Sequence, residues 1–196
     1  MEQLMRHIYN SSFATIALIL LIMGNTAFAA GPGNNIAVRL LGTDTAYPST
    51  DLFDAYGVVG PDSFCWDFDM LDIKTGNSIG DVTDCAAIVD VVGGAPGEPD
   101  TGYAVIGTTF FYFPGGTVVA RVYTTVQPVT HGSPLFSHIT GAVPLEGTDN
   151  VLYGDGKFKG ASGTVRFSGG GDLSTFFDDG IIYIDCIFTL DISTGN

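Results

Sequence analysis

The sequence predicts an all-β fold, an eight-stranded antiparallel β-barrel closed on itself. Three observations carry this. Almost nothing after residue 30 has helical periodicity, runs rich in Val, Ile, Thr, Phe and Tyr alternate with Gly, Pro and Asp clusters, and about eight such runs fit one domain. Closure into a barrel removes the exposed edges that an open sheet of these strands would leave.

The first 29 residues read as a secretory signal peptide. Arg6 and His7 precede an apolar run from Phe13 to Met23, and Ala27-Phe28-Ala29 supplies a small-x-small cleavage site. The run falls short of the ~20 apolar residues of a spanning helix, so the leader is expected to be cut after Ala29. Residues 30–196 then form a single domain in a secreted or periplasmic protein, with no membrane attachment once the leader is gone. Removing Glu2 and Arg6 leaves the net charge at −14. That acidity excludes nucleic acid and anionic membrane surfaces as partners, because both need clustered Lys and Arg.

The strands are expected at Asn35–Gly42, Phe64–Ile73, Ser78–Ala87, Tyr103–Phe113, Thr117–Val126, then Leu135–Thr140 or Asn150–Tyr153, Ala161–Ser168 and Gly180–Ile192. In the last strand Ile182, Ile184, Cys186, Phe188, Leu190 and Ile192 share a face, opposed by Tyr183, Asp185, Thr189 and Asp191. In the second, Phe64, Trp66, Phe68 and Met70 oppose Cys65, Asp67 and Asp69, so the aromatics face inward. The fourth strand is apolar on both faces, as a strand at a subunit contact or under a covering loop would be. Pro114-Gly115-Gly116 turns one hairpin, and Lys74-Thr75-Gly76 another, with Ile73 paired to Asn77.

That second hairpin selects a disulfide from the three cysteines. Cross-strand pairs about its loop place Cys65 opposite Cys85, within reach of a bridge, in the wider hydrogen-bonded type of pair unless a one-residue bulge intervenes. Cys186, on the apolar face of the last strand, is left as a buried thiol.

Chemical motifs largely fail. The Gly154–Gly160 run is one residue too long for a dinucleotide fingerprint and is followed by β-prone sequence, where phosphate binding needs a helix. Gly160-Ala161-Ser162-Gly163 lacks the spacing of a nucleophile elbow. His131 and His138 have no third ligand at a metal-site spacing, so neither a metal nor any other cofactor is expected. Nothing selects a carboxylate pair for sugar hydrolysis. What remains is an aromatic-lined barrel, the usual form of a small-molecule site. Trp66 and Phe68 are its candidate wall. Arg121 and Tyr123 in the fifth strand are its candidate polar groups if that face points inward; an outward face is equally compatible with the pattern.

Between the sixth and seventh strands, Gly154, Gly156, Gly160 and Gly163 surround Phe158 in a sharp corner. The run Gly154, Gly156, Phe158, Gly160, Ala161, Gly163, with Phe110-Phe-Tyr-Phe-Pro-Gly-Gly before it and a Tyr- and Phe-containing last strand after it, resembles the allene oxide cyclase and dirigent barrels over about Tyr103 to Leu190. The resemblance implies a cofactor-free eight-stranded barrel, often trimeric, that binds a reactive apolar intermediate and controls its geometry. Cyclases of that fold close a ring in an unstable fatty-acid epoxide, an isomerase reaction, whereas dirigent proteins orient phenoxy radicals made by a separate oxidase. The stretch Val38–Gly42 offers neither the glutamate nor the asparagine that the plant cyclases carry in their first strand. Asp44, near the end of the first strand, is the nearest candidate for a polar residue of the dirigent pocket, and no catalytic residue is assigned. The expected function is binding of a small apolar or phenolic molecule with steering of its cyclisation or coupling; the alternative is a non-catalytic exported barrel that binds a ligand or partner.

Overall fold

The computed structural model describes residues 34–49, 63–92, 102–128, 136–142 and 149–195. The expected leader with its expected cleavage site, and His131, lie outside them. In chain order the strands are β1 (Asn34–Thr45), β2 (Tyr47–Pro48), β3 (Phe64–Asp72), β4 (Ser78–Val92), β5 (Gly102–Phe113), β6 (Gly116–Pro128), β7 (Phe136–Ala142), β8 (Val151–Gly154), β9 (Ser162–Asp172) and β10 (Ile181–Ser193). All pair antiparallel in the order β1-β10-β9-β7-β6-β5-β4-β3, and a further β1–β3 pairing brings the ring round to a nearly closed eight-stranded barrel. The seam is short, Val38–Leu41 against Asp72–Asp69. The two-residue β2 continues alongside β3, opposite Cys65 and Phe64.

Both alternatives for the sixth strand are present, because β6 is long enough to carry two partners: β7 pairs with its second half and β8 with its first. Asn150 closes the gap between β8 and β9. Its side-chain amide donates to the Val165 carbonyl at 2.9 Å and accepts from the Val165 N–H at 2.7 Å, imitating a strand neighbour with both atoms of one amide. The strand β9 runs on through Gly169, Gly170 and Gly171, which the sequence assigned to a loop. A Cβ at Gly169 would lie 2.2 Å from the Asp185 carbonyl oxygen and 2.7 Å from Cys186 Sγ, so a bare backbone is what permits β10 to approach.

The Cys65–Cys85 bridge is present, with a Cα separation of 4.0 Å. The route to it differs from the expected one. The turn closes on Asp72 and Asn77, not Ile73 and Asn77, because the Asp72 carboxylate accepts the N–H groups of Lys74 and Thr75 and the Thr75 hydroxyl and holds the loop one residue earlier. An irregularity then sets Leu71 against Ser78 but Met70 against Gly80, leaving Ile79 as an extra residue that restores the Cys65–Cys85 register. The short separation belongs to the narrow, non-hydrogen-bonded type of pair.

The disulfide explains the doubly apolar β5. The inward face of β5 carries Phe111 in the barrel core, while Phe110 on the outward face joins Cys65, Cys85 and Val119 in a second buried cluster flanked by Tyr47 and Tyr112. Inside, one half of the barrel is filled. Phe68, Met70, Val82, Phe111, Val118, Phe158, Val165, Leu190 and Ile192 are all buried there and share one cluster.

The glycine corner seals that half. A 3-10 turn at Gly156–Phe158 sends Phe158 inward against Phe113, with ring centroids 5.1 Å apart. The corner docks on the β5–β6 turn: Lys157 N–H donates to the Gly115 carbonyl at 2.9 Å, and Asp155 accepts from the Thr117 N–H at 2.6 Å. Gly156 has φ +52°, and a Cβ there would meet the Gly115 oxygen at 2.2 Å. Two stretches that stood out separately in the sequence are thus one piece of structure.

Candidate functional site

The other half of the barrel is open. A cavity of about 500 Å3 lies between the later part of β4, the start of β5, the later part of β6 and the first half of β10. Alternation aims Asp84, Ala86 and Ile88 into it from β4, Tyr103, Val105 and Gly107 from β5, Thr124 and Val126 from β6, and Ile182, Ile184, Cys186 and Phe188 from β10. Phe167 of β9 lies against Phe188 with centroids 4.4 Å apart, forming part of the floor.

The β9–β10 connection overhangs the mouth. It contains a single helical turn, α1 (Phe176–Asp179), ended by Gly180 in the left-handed conformation. Phe176 packs on Trp66 at 5.8 Å and on Phe64 at 6.3 Å, and Phe177 on Tyr103 at 5.6 Å. The Gly180 carbonyl accepts from both the Trp66 indole N–H (3.2 Å) and the Ala46 N–H (2.8 Å), pinning the end of this segment to β3 and to the link between β1 and β2. The rim is apolar, with Phe64, Ile88 and Phe177 exposed.

Asp84 is the one carboxylate among the described residues that line the cavity. It is half-buried, and its neighbours on the lining are mainly apolar. Burial pushes its pKa up to about 6, against the opposing effect of a hydrogen bond from Thr109 Oγ1 at 2.7 Å. Cys186 lines the same cavity from β10. Burial first, then the nearby Asp84 and Asp185 carboxylates, push its thiol up to about 12, which keeps it protonated and unreactive at neutral pH. No described lining residue is basic.

The residues singled out in the sequence separate. Trp66, 5% exposed, lines the cavity, whereas Phe68 two positions along belongs to the filled half. Arg121 and Tyr123 lie on the outward alternation of β6, whose inward face is Val118, Ala120, Val122 and Thr124, and Tyr123 is exposed. Asp44 is outside the cavity, where it accepts the Asp67 N–H at 2.8 Å. Asp67 in turn accepts hydrogen bonds from Tyr47 and Thr83. The residue missed was Asp84. Its signal was an acid on the same alternate face as Val82, Ala86 and Ile88, a carboxylate that the strand pattern itself turns inward.

No protein-family model matches the chain, and comparison with curated proteins gives no match. The reading of the site therefore rests on its geometry.

Proposed function

We propose that the barrel binds a small apolar or phenolic molecule in its open half and steers that molecule's cyclisation or coupling, holding it in one conformation out of water. The observation that carries the reading is the division of the interior: one half packed solid, the other an aromatic-walled cavity of about 500 Å3 under an overhanging segment. Orientation and exclusion of water are what such a wall contributes to a reactive guest. The glycine-corner resemblance to cyclase and dirigent barrels supports the same reading. A second reading, carriage without chemistry, is favoured by the ionisable groups among the described lining residues: beside the Tyr103 phenol they are a single carboxylate and a thiol held protonated. For location we propose export, supported by the Cys65–Cys85 bridge, since such bridges persist in oxidising compartments.

Trp66, the one tryptophan of the chain, reports on the cavity. Titration with 4-propylphenol and with linoleyl alcohol should shift its fluorescence. Gly107 offers a way to block the space, because a Cβ there meets nothing closer than 3.6 Å and points to the cavity. Gly107→Leu should abolish the response while leaving the near-ultraviolet circular dichroism of the barrel intact. An unchanged titration in that variant would place binding elsewhere and sink the reading; product analysis with a reactive guest separates steering from carriage.

A further inference from the structure

An aromatic chamber whose described lining holds one carboxylate and no basic side chain has an unmet electrostatic need. Asp84 sits between Trp66 of β3 and Thr109 of β5 in the strand register, and the Thr109 hydroxyl is its one hydrogen-bond donor among the described residues. Across the chamber, β10 presents Cys186, a neutral group, and the walls add Tyr103 and Thr124. The basic side chains Arg39, Arg121 and Arg166 belong to the outward faces of their strands. A charged carboxylate taken out of water is costly unless paired. Among the described residues no cationic side chain lines the cavity to pair with it, and the carboxylate borders ligand space.

We infer that the cavity selects a small hydrophobic amine, whose ammonium pairs with the Asp84 carboxylate while its apolar body lies against the rings of Trp66, Tyr103, Phe167 and Phe176. The inference rests on the cavity being a binding site and names the class of its occupant. Three ligand chemistries compete for the position. A carboxylate is repelled by Asp84. A neutral hydroxyl can donate one hydrogen bond to it. An ammonium donates charge-assisted hydrogen bonds, which are roughly twice as strong as neutral ones, and in addition meets the negative faces of the surrounding rings. The net charge of −14 acts in the same direction at long range, concentrating cations around the protein.

The test uses tryptamine, tryptophol and indolepropionate, which share an indolyl body and differ in the charge at its end, with the intact protein in a calorimeter. At about pH 8 the amine should bind at least about tenfold more tightly than the alcohol, and the acid more weakly still. Asp84 titrates near 6 while Cys186 remains neutral, and the amine keeps its proton throughout. Lowering the pH to about 5 leaves roughly one Asp84 in eleven ionised, so tryptamine affinity should fall about tenfold and tryptophol affinity should change little. Asp84→Asn, the same shape without the charge, should erase the preference for the amine. Equal or tighter binding of tryptophol, tighter binding of indolepropionate, or a tryptamine affinity that ignores pH would overturn the inference while leaving the cavity a binding site. Failure of all three to bind would remove the inference and count against the cavity reading as well. The pH comparison uses the unaltered protein, so it tests the inference even if the variant fails to fold.

Discussion

Asp84→Asn should make the empty barrel more stable, and by an amount that depends on pH. Burial raises the Asp84 pKa from the ordinary 3.8 to about 6, so the folded state holds its proton more tightly than the unfolded chain does. The sign follows: folding is unpenalised below about pH 3.8, loses stability as the pH rises towards 6, and carries a constant deficit above that. Each pKa unit is worth about 1.4 kcal/mol, so a displacement of about two units costs about 3 kcal/mol at pH 8 and under about 1 kcal/mol at pH 4. Asparagine removes the charge and still accepts the Thr109 hydroxyl through its own oxygen. Its amide nitrogen, turned into an apolar space, returns part of the gain, leaving about 1–2 kcal/mol at pH 8. Urea unfolding of both proteins at pH 4 and pH 8, with the disulfide intact, measures this directly. A difference between the two proteins that is the same at both pH values would refute the claim that Asp84 is a desolvated carboxylate.

Cys85→Ser should cost about 3 kcal/mol in the same assay, since the bridge closes a loop between cysteines 20 residues apart, and Cys186→Ala should show no loss by that route. The native protein should leave Cys186 unlabelled by iodoacetamide at neutral pH, with labelling appearing only on unfolding; ready labelling of the folded form would contradict its burial and raised pKa. Asn150→Ala should lower stability by about 2 kcal/mol, because the Val165 N–H and carbonyl lose their partner in a place water does not reach. Gly156→Ala combines a positive φ with a collision against the Gly115 backbone and should cost about 2 kcal/mol or more, read as a lowered melting temperature.

The strands that could be read in the sequence were those whose two faces differ. In β10 Tyr183, Asp185, Thr189 and Asp191 alternate with apolar residues, and the structure buries the expected set from Ile182 to Ile192 although Ile187 is an exposed aliphatic on the outer face. The fourth expected strand was legible as a strand but not in its surroundings, because Phe110 belongs to a cluster assembled around a disulfide from other strands. The cysteine pairing survived a wrong turn assignment only because Ile79 adds back the residue that Asp72 displaces, a compensation that depends on a carboxylate's choice among nearby N–H groups. Cavity and core were indistinguishable in sequence: Trp66 and Phe68 lie on one face of one strand, and which of them borders empty space is decided by Phe158, about ninety residues away, filling the far end. Asp84 stayed hidden because one acid among many aspartates attracts attention only when its strand's inward parity is fixed, and the bulge at Ile79 lies between it and the turn from which parity was counted.

The position of β1 governs when this chain can finish folding. It pairs along twelve positions with β10 and along four with β3, and its Arg39 forms a two-pronged ion pair with Asp185, 146 residues away. Local hairpins such as β3–β4 and β5–β6 can assemble early, but the ring has no keystone until the final strand arrives, and the seam beside β3 cannot be held in its place without it. Closing so large a loop is entropically costly and slows the decisive step, to the order of milliseconds to seconds for sheets built on distant pairings. Until then the two halves of the interior do not exist as separate spaces, so a guest molecule can bind only after the last strand has docked.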